Sequence, residues 1–111
     1  MSDALTATAD AEIAALTERI INYQEPSRVI LFGSRGRGDA REDSDIDICI
    51  LYEKLRKRNL EVLQELYLAL FGHCRHPVDL VVYEEGDFLE KAKRVHSFEA
   101  FISAEGRELH G

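Results

Sequence analysis

Three observations predict a small α+β domain built on a mixed β-sheet. Apolar positions at helical spacing alternate with short β-branched runs, the first two such runs lie too close together for a crossover helix, and the second and third are separated by a full helix. The expected architecture is a sheet of three or four strands with helices packed on one face. The first pair of strands should be antiparallel, and the second and third strands can pair in parallel through the intervening helix.

The elements follow in order. From Asp10 to Asn22, Ile13, Leu16, Ile20 and Ile21 recur at helical spacing, and Pro26 bars continuation. Arg28 to Phe32 is a short apolar run that stops at Gly33 and reads as a buried strand. Ile46 to Tyr52 is a second strand. Leu60, Leu63, Leu66, Tyr67 and Leu70 mark a helix whose leucines belong to the core and which ends at Gly72, a left-handed cap. After Pro77, Val78 to Tyr83 forms a third strand. Asp87 and Glu90 read as an acidic capping pair ahead of Phe88, Leu89, Ala92 and Val95. A last helix begins at Ser97 and buries Phe98, Phe101 and Ile102. If those phenylalanines are exposed instead, they form a partner or dimer surface, so homo-oligomer formation is left open. The predicted order is αβ(loop)βαβαα.

At 111 residues, 45% hydrophobic and 32% charged, the chain fits one globular domain, 1–111, with a real core. Asp+Glu number 21 against Lys+Arg 14, a net charge of −7, which argues against long nucleic acid as a ligand. Basic clusters at Arg35/Arg37/Arg41 and Arg56/Lys57/Arg58 remain able to meet a short phosphate ligand or an acidic partner. No apolar run reaches membrane-spanning length, and residues 1–12 lack the basic and apolar regions of a signal peptide. Cys49 and Cys74 cannot make a disulfide framework. The expected setting is cytoplasmic.

The chemistry concentrates between Gly33 and Asp47. Gly33 follows a strand directly, where a glycine permits a tight turn and close ligand approach. Ser34 adds a hydroxyl beside exposed backbone N–H groups, and Arg35 and Arg37 can neutralise phosphate charge. Alone, this segment reads either as a polar turn or as a phosphate-holding loop. It is not a P-loop, because Asp39-Ala40 stands where Lys-Ser/Thr is required, and the dinucleotide glycine spacing is absent. The tripeptide Arg37-Gly38-Asp39 is read as chance. Strand alternation places Asp45 and Asp47 on one face while Ile46, Ile48 and Ile50 enter the core. Two such carboxylates repel unless a cation sits between them, and Mg²⁺ is the natural filler. Asp79 lies inside an apolar strand, where a carboxylate is costly unless solvated or paired. Beside the second strand it can face the same cleft, and three carboxylates can hold two ions or supply a base. Read structurally, it is an edge charge that discourages aggregation.

These residues resemble the DNA polymerase β-type nucleotidyltransferase superfamily, whose signature is Gly-Ser, a spacer, then Asp-x-Asp. Gly33-Ser34, ten residues, and Asp45-Ile46-Asp47 are similar to the minimal nucleotidyltransferase group in particular, as are Arg35 to Arg41 and Asp43-Ser44. The resemblance covers about residues 28–83. It implies a nucleotidyltransferase palm with ATP as substrate and Mg²⁺, two ions, as cofactor. Gly33 and Ser34 would hold the outer phosphates, Asp45, Asp47 and Asp79 would form the metal triad, and a nucleoside monophosphate would pass to a hydroxyl while pyrophosphate leaves. Many members resemble antitoxins that adenylylate a tyrosine of a HEPN-domain toxin, which makes such a toxin the expected partner. Two other readings stand beside it: nucleotidylation of a small molecule such as an aminoglycoside, and neutralisation of a partner by binding alone. Leu109-His110-Gly111 departs from the Leu-Tyr-Gly expected at that position but leaves the catalytic set intact.

Weaker signals remain. His73, Cys74 and His76 offer three metal-ligand types in four residues, but without the separated pairs of a structural zinc site they read as turn lining. Cys49 alternates with the aspartates and reads as packing rather than as a nucleophile.

Overall fold

In a computed structural model, which describes the backbone of residues 2–111 and side chains from residue 9 onward, a four-stranded sheet has the order β3-β2-β1-β4. Its strands are β1 (Arg28–Phe32), β2 (Ile46–Tyr52), β3 (Val78–Glu84) and β4 (Arg107–His110). The helices are α1 (Ser2–Tyr23), α2 (Gly33–Arg37), α3 (Asn59–Leu70), α4 (Glu85–Ala92) and α5 (Phe98–Glu105). β1 runs antiparallel to β2 and β4, whereas β2 and β3 are parallel, so the mixed sheet and both expected pairings are present. Among the described residues, no helix is long and apolar enough to cross a membrane.

The helices, expected on one face, cover both. On the first face Ile13, Leu16 and Ile20 of α1 and Val62, Leu66 and Leu70 of α3 pack on Val29, Leu31, Ile46, Ile48 and Ile50. On the second, Phe88 of α4 and Ile102 of α5 pack on Ile30, Cys49 and Leu51. The cause lies in β1 and β2 themselves. RVILF and IDICILY are apolar on both sides of the pleat over most of their length, and such strands need cover on both faces.

Other boundaries shift for local reasons. α1 begins earlier than its apolar stripe. The expected loop after Gly33 is a single helical turn closed at Gly38, whose φ of 84° is left-handed. α4 starts at Glu85, so Asp87 sits inside its first turn rather than capping it; the Glu84 carboxylate instead accepts the Leu55 N–H at 2.8 Å. Ser97 caps α5 as expected, its hydroxyl accepting the Ala100 N–H at 3.0 Å. The core stripe of α3 runs through Val62, Leu66 and Leu70, leaving Leu60 and Leu68 in solvent at 63% and 77% exposure. Phe98 and Phe101 are likewise about half exposed while Ile102 is buried. β4 is an addition. Its sequence, RELH, has no strand-like apolar alternation, and it is held at the sheet edge by pairing to β1 and by Arg28 Nε donating to Glu108 Oε1 at 2.5 Å.

Tyr52 ends β2 inside the first core, and its hydroxyl oxygen is enclosed without a hydrogen-bond partner among the described residues. An enclosed, unpaired hydroxyl costs free energy that a phenyl ring does not. Tyr52→Phe is therefore expected to hold or raise stability, by up to about 1 kcal/mol in urea unfolding. A loss of more than about 1 kcal/mol would show that the hydroxyl is bonded in solution.

Candidate active site

β2 places its side chains by alternation. Ile46, Ile48 and Ile50 are fully buried, and Asp47 projects to the opposite face, half-buried, with Asp45 exposed just ahead of it. Parallel register sets Asp47 directly opposite Asp79 of β3, and antiparallel register sets it opposite Phe32 of β1. Asp79 is exposed, which removes the objection to a carboxylate in that strand. Register thus sets Asp47 and Asp79 side by side at one end of one sheet face, and Asp45 lies just ahead of β2, outside the paired strand.

Gly33 closes the cleft on the β1 side. Its φ is 66°, a conformation that favours glycine, and a Cβ there would stand 2.3 Å from Asp47 Oδ2. The glycine is therefore what allows α2 to start against a carboxylate. Ser34 follows in the first turn of α2, whose opening N–H groups receive no side-chain cap from Phe32. Helix N–H groups without partners favour negative ligands.

The two arginines are placed differently from expectation. Arg35 turns to the loop that delivers Asp45: its Nη2 donates to the carbonyls of Arg41 at 3.3 Å, Glu42 at 3.2 Å and Ser44 at 2.8 Å, and its Nε to Ser44 at 3.2 Å. Ser44 Oγ adds a bond from the Arg41 N–H at 2.8 Å. Arg35 thus fixes the loop rather than standing free for phosphate. The sequence could not show this, since the acceptors are backbone carbonyls. Arg37 is exposed and pairs with Asp39 at 3.2 Å and Glu105 at 3.3 Å, contacts that solvent screens and that leave it able to exchange partners.

Burial, then the charges of Asp79 and Asp45, push the Asp47 carboxyl above its ordinary value. A carboxylate held unfavourably beside two others calls for a cation, and hard oxygen donors suit Mg²⁺. The three aspartates do not gather their oxygens as closely as Glu12, Cys74 and His76 gather their ligand atoms. Cys49, behind the site, is fully buried and its thiol is pushed up to about 12, chiefly by that burial, which suits packing rather than nucleophilic attack. Beside Gly33, a cleft of about 370 Å³ is lined by Phe32, Arg37, Phe98, Phe101, Ile102 and Glu105, and Phe32 meets Phe98 edge-on at 5.6 Å. A larger groove of about 1010 Å³ includes Arg35, Glu42 and His76 but none of the three aspartates. The smaller cleft includes Gly33, which abuts Asp47, and so it is the space that adjoins the carboxylates, although they do not line it.

The model of the polymerase beta nucleotidyltransferase family matches residues 14–103, a span that includes Gly33, Asp45, Asp47 and Asp79. Among curated protein sequences none matches significantly. Among solved structures, the chain is similar to a candidate nucleotidyltransferase from Sulfolobus solfataricus, with a TM-score of 0.57 and 24% identity over 79% of this chain and 77% of the other. It is also similar to a chain of a toxin–antitoxin structure with AMP-PNP, with a TM-score of 0.54 and 24% identity over 88% and 73% of the two chains. A chain of the toxin–antitoxin MntA-HpeT, in a double aspartate-to-glutamate mutant, gives a TM-score of 0.53 and 20% identity over 88% and 72%. At these identities the likeness is one of fold.

The electrostatics of Asp47 make a prediction about the metal-free protein. A carboxyl whose folded pKa is raised holds its proton more tightly folded than unfolded. Its contribution to stability is present below the unfolded value, about 3.9, and is lost as pH rises through the higher folded value. Asp47→Asn removes that loss. In chelator near neutral pH the variant should melt above wild type, with the gap closing as pH falls toward about 4. A variant that melts no higher than wild type at neutral pH would contradict the strained-carboxylate account.

Proposed function

The chain belongs to the polymerase beta nucleotidyltransferase family, and on that premise we propose that it transfers AMP from ATP, with Mg²⁺, to a tyrosine hydroxyl of a HEPN-type toxin and so acts as a cytoplasmic antitoxin. The observation that carries the reading is the register pairing of Asp47 with Asp79 beneath Gly33, which gathers an acidic cleft against a turn only glycine fits. Asp45, Asp47 and Asp79 would hold Mg²⁺, which when bound offsets the carboxylate repulsion and the charge of the triphosphate. Gly33 and Ser34 would seat the outer phosphates on the opening N–H groups of α2, and Arg35 keeps the loop that presents Asp45 in place. The acceptor oxygen attacks the α-phosphorus, the bond to the bridging oxygen breaks, and pyrophosphate departs. In place of a metal-binding role, the exposed Asp79 carboxylate would be the base that takes the acceptor's proton.

Two observations favour a protein acceptor over an aminoglycoside-like one. Phe98 and Phe101, beside the cleft, and Leu89 and Val95, on and after α4, are all about half exposed or more, a surface suited to a partner. The fold is shared with chains from two toxin–antitoxin structures, one of them with AMP-PNP.

Co-expression with the product of the neighbouring gene, followed by intact mass of that partner, tests the reading. Wild type should add one adenylate or more, and Asp47→Asn should add none. An unmodified partner, or equal modification by Asp47→Asn, would overturn it. Protection of cells by the Asp47→Asn variant as good as by wild type would favour neutralisation by binding alone.

A further inference from the structure

Away from the aspartate cleft, the turn between α3 and β3 meets α1 and brings together three side chains of different ligand chemistry. Glu12, Cys74 and His76 place a carboxylate oxygen, a thiol sulfur and a ring nitrogen within 4.8 Å of one another, the only such group among the described residues. The Glu12 and His76 side chains are only 11% and 14% exposed. Sequence spacing points to His73 as the companion of Cys74 and His76, but His73 is exposed and outside the group. The separated ligand that spacing lacked comes from α1.

Hydrogen-bond accounting sharpens the chemistry. His76 Nε2 lies 2.8 Å from the Glu42 carbonyl oxygen, which can only accept, so Nε2 carries a hydrogen. Nδ1 faces Glu12 Oε2. A neutral imidazole would therefore point a lone pair at a carboxylate, with the Cys74 sulfur beside them. A positive centre must lie between these groups: a proton as they stand, or a metal ion once the two side chains rotate apart to admit it. Glu12 Oε1 is meanwhile fixed by the Arg75 N–H at 2.8 Å. An outer N–H held by a carbonyl and a carboxylate braced by a backbone amide are the supports that surround ligating side chains in metal sites.

We propose that Glu12 Oε2, Cys74 Sγ and His76 Nδ1 form a site for one divalent transition-metal ion of the Zn²⁺ type, with its fourth position open to solvent. A mixed oxygen, sulfur and nitrogen donor set selects such an ion over Mg²⁺ or Ca²⁺. The groove of about 1010 Å³ that His76 lines gives the ion a route in. Once bound, the ion ties α1 to the start of β3 and, through His76 Nε2, to the loop carrying Asp45. It thereby buttresses the aspartate cleft without entering it.

The test is a Co²⁺ titration of the tag-free, chelator-treated chain in excess Mg²⁺. Wild type should develop a thiolate-to-cobalt charge-transfer band saturating at one equivalent and bleached by Zn²⁺, and Zn²⁺ should raise its melting temperature. Cys74→Ser should abolish the band and the thermal response. Glu12→Gln should weaken cobalt binding by at least about tenfold with an unchanged circular dichroism spectrum. The Asp45→Asn/Asp47→Asn double variant should keep the band, which separates this ion from one held by the aspartates. Absence of the band from folded wild type would leave a proton as the occupant and overturn the proposal, as would a band that survives Cys74→Ser.

Discussion

The repulsion between Asp47 and Asp79 is the constraint on which the rest of the site depends. Parallel pairing of β2 with β3 sets the two carboxylates side by side, and no rotation of the strands separates them without moving Ile46, Ile48 and Leu80 out of the core. A one-residue slip would do so at the cost of every apolar contact on that face. The hydrophobic core therefore holds an electrostatically unfavourable pair in place, and Gly33 leaves no side chain to dilute it. Two carboxylates held together in this way favour a cation between them.

The surrounding structure serves to keep this strained end of the sheet fixed. Arg35 gathers three carbonyls of the preceding loop, and Ser44 closes the same loop on itself, so Asp45 enters β2 along a defined path. The Ile46 N–H reaches the Pro77 carbonyl at 2.9 Å, joining the starts of β2 and β3. Glu12 and His76 lock α1 to the same corner. At the other end of the site, Phe32, Phe98 and Phe101 leave an apolar cleft open beside Gly33. One side of the site is thus polar and braced, and the other is apolar and accessible.

Much of this was legible in the sequence because it depends on local pattern. The bounds of β1 and β2 follow from β-branched runs, Ser97 follows from capping chemistry, and the placing of Asp47 opposite the buried isoleucines follows from the period of a strand. Asp79 was visible as a charge out of place. What escaped depends on tertiary context. β4 is polar and becomes a strand only because β1 offers an unpaired edge. The two-sided cover of the sheet was hinted at by apolar residues on both faces of β1 and β2, but the exposure of Phe98 and Phe101 was set by where α5 docks. Arg35 looked like a phosphate ligand because its acceptors, being backbone, leave no trace in residue identity. Glu12 could not be joined to Cys74 and His76 by any spacing rule, since the fold alone brings α1 to that turn.

The central claim is that the fold holds Asp47 as a strained carboxylate that a divalent cation relieves. Its most direct test is the carboxyl carbon chemical shift of Asp47, followed by NMR across pH with and without Mg²⁺. The account predicts an Asp47 pKa above the ordinary aspartate value in the metal-free protein, falling when Mg²⁺ is added. An Asp47 that titrates at or below the ordinary value without metal, or one indifferent to Mg²⁺, would contradict it.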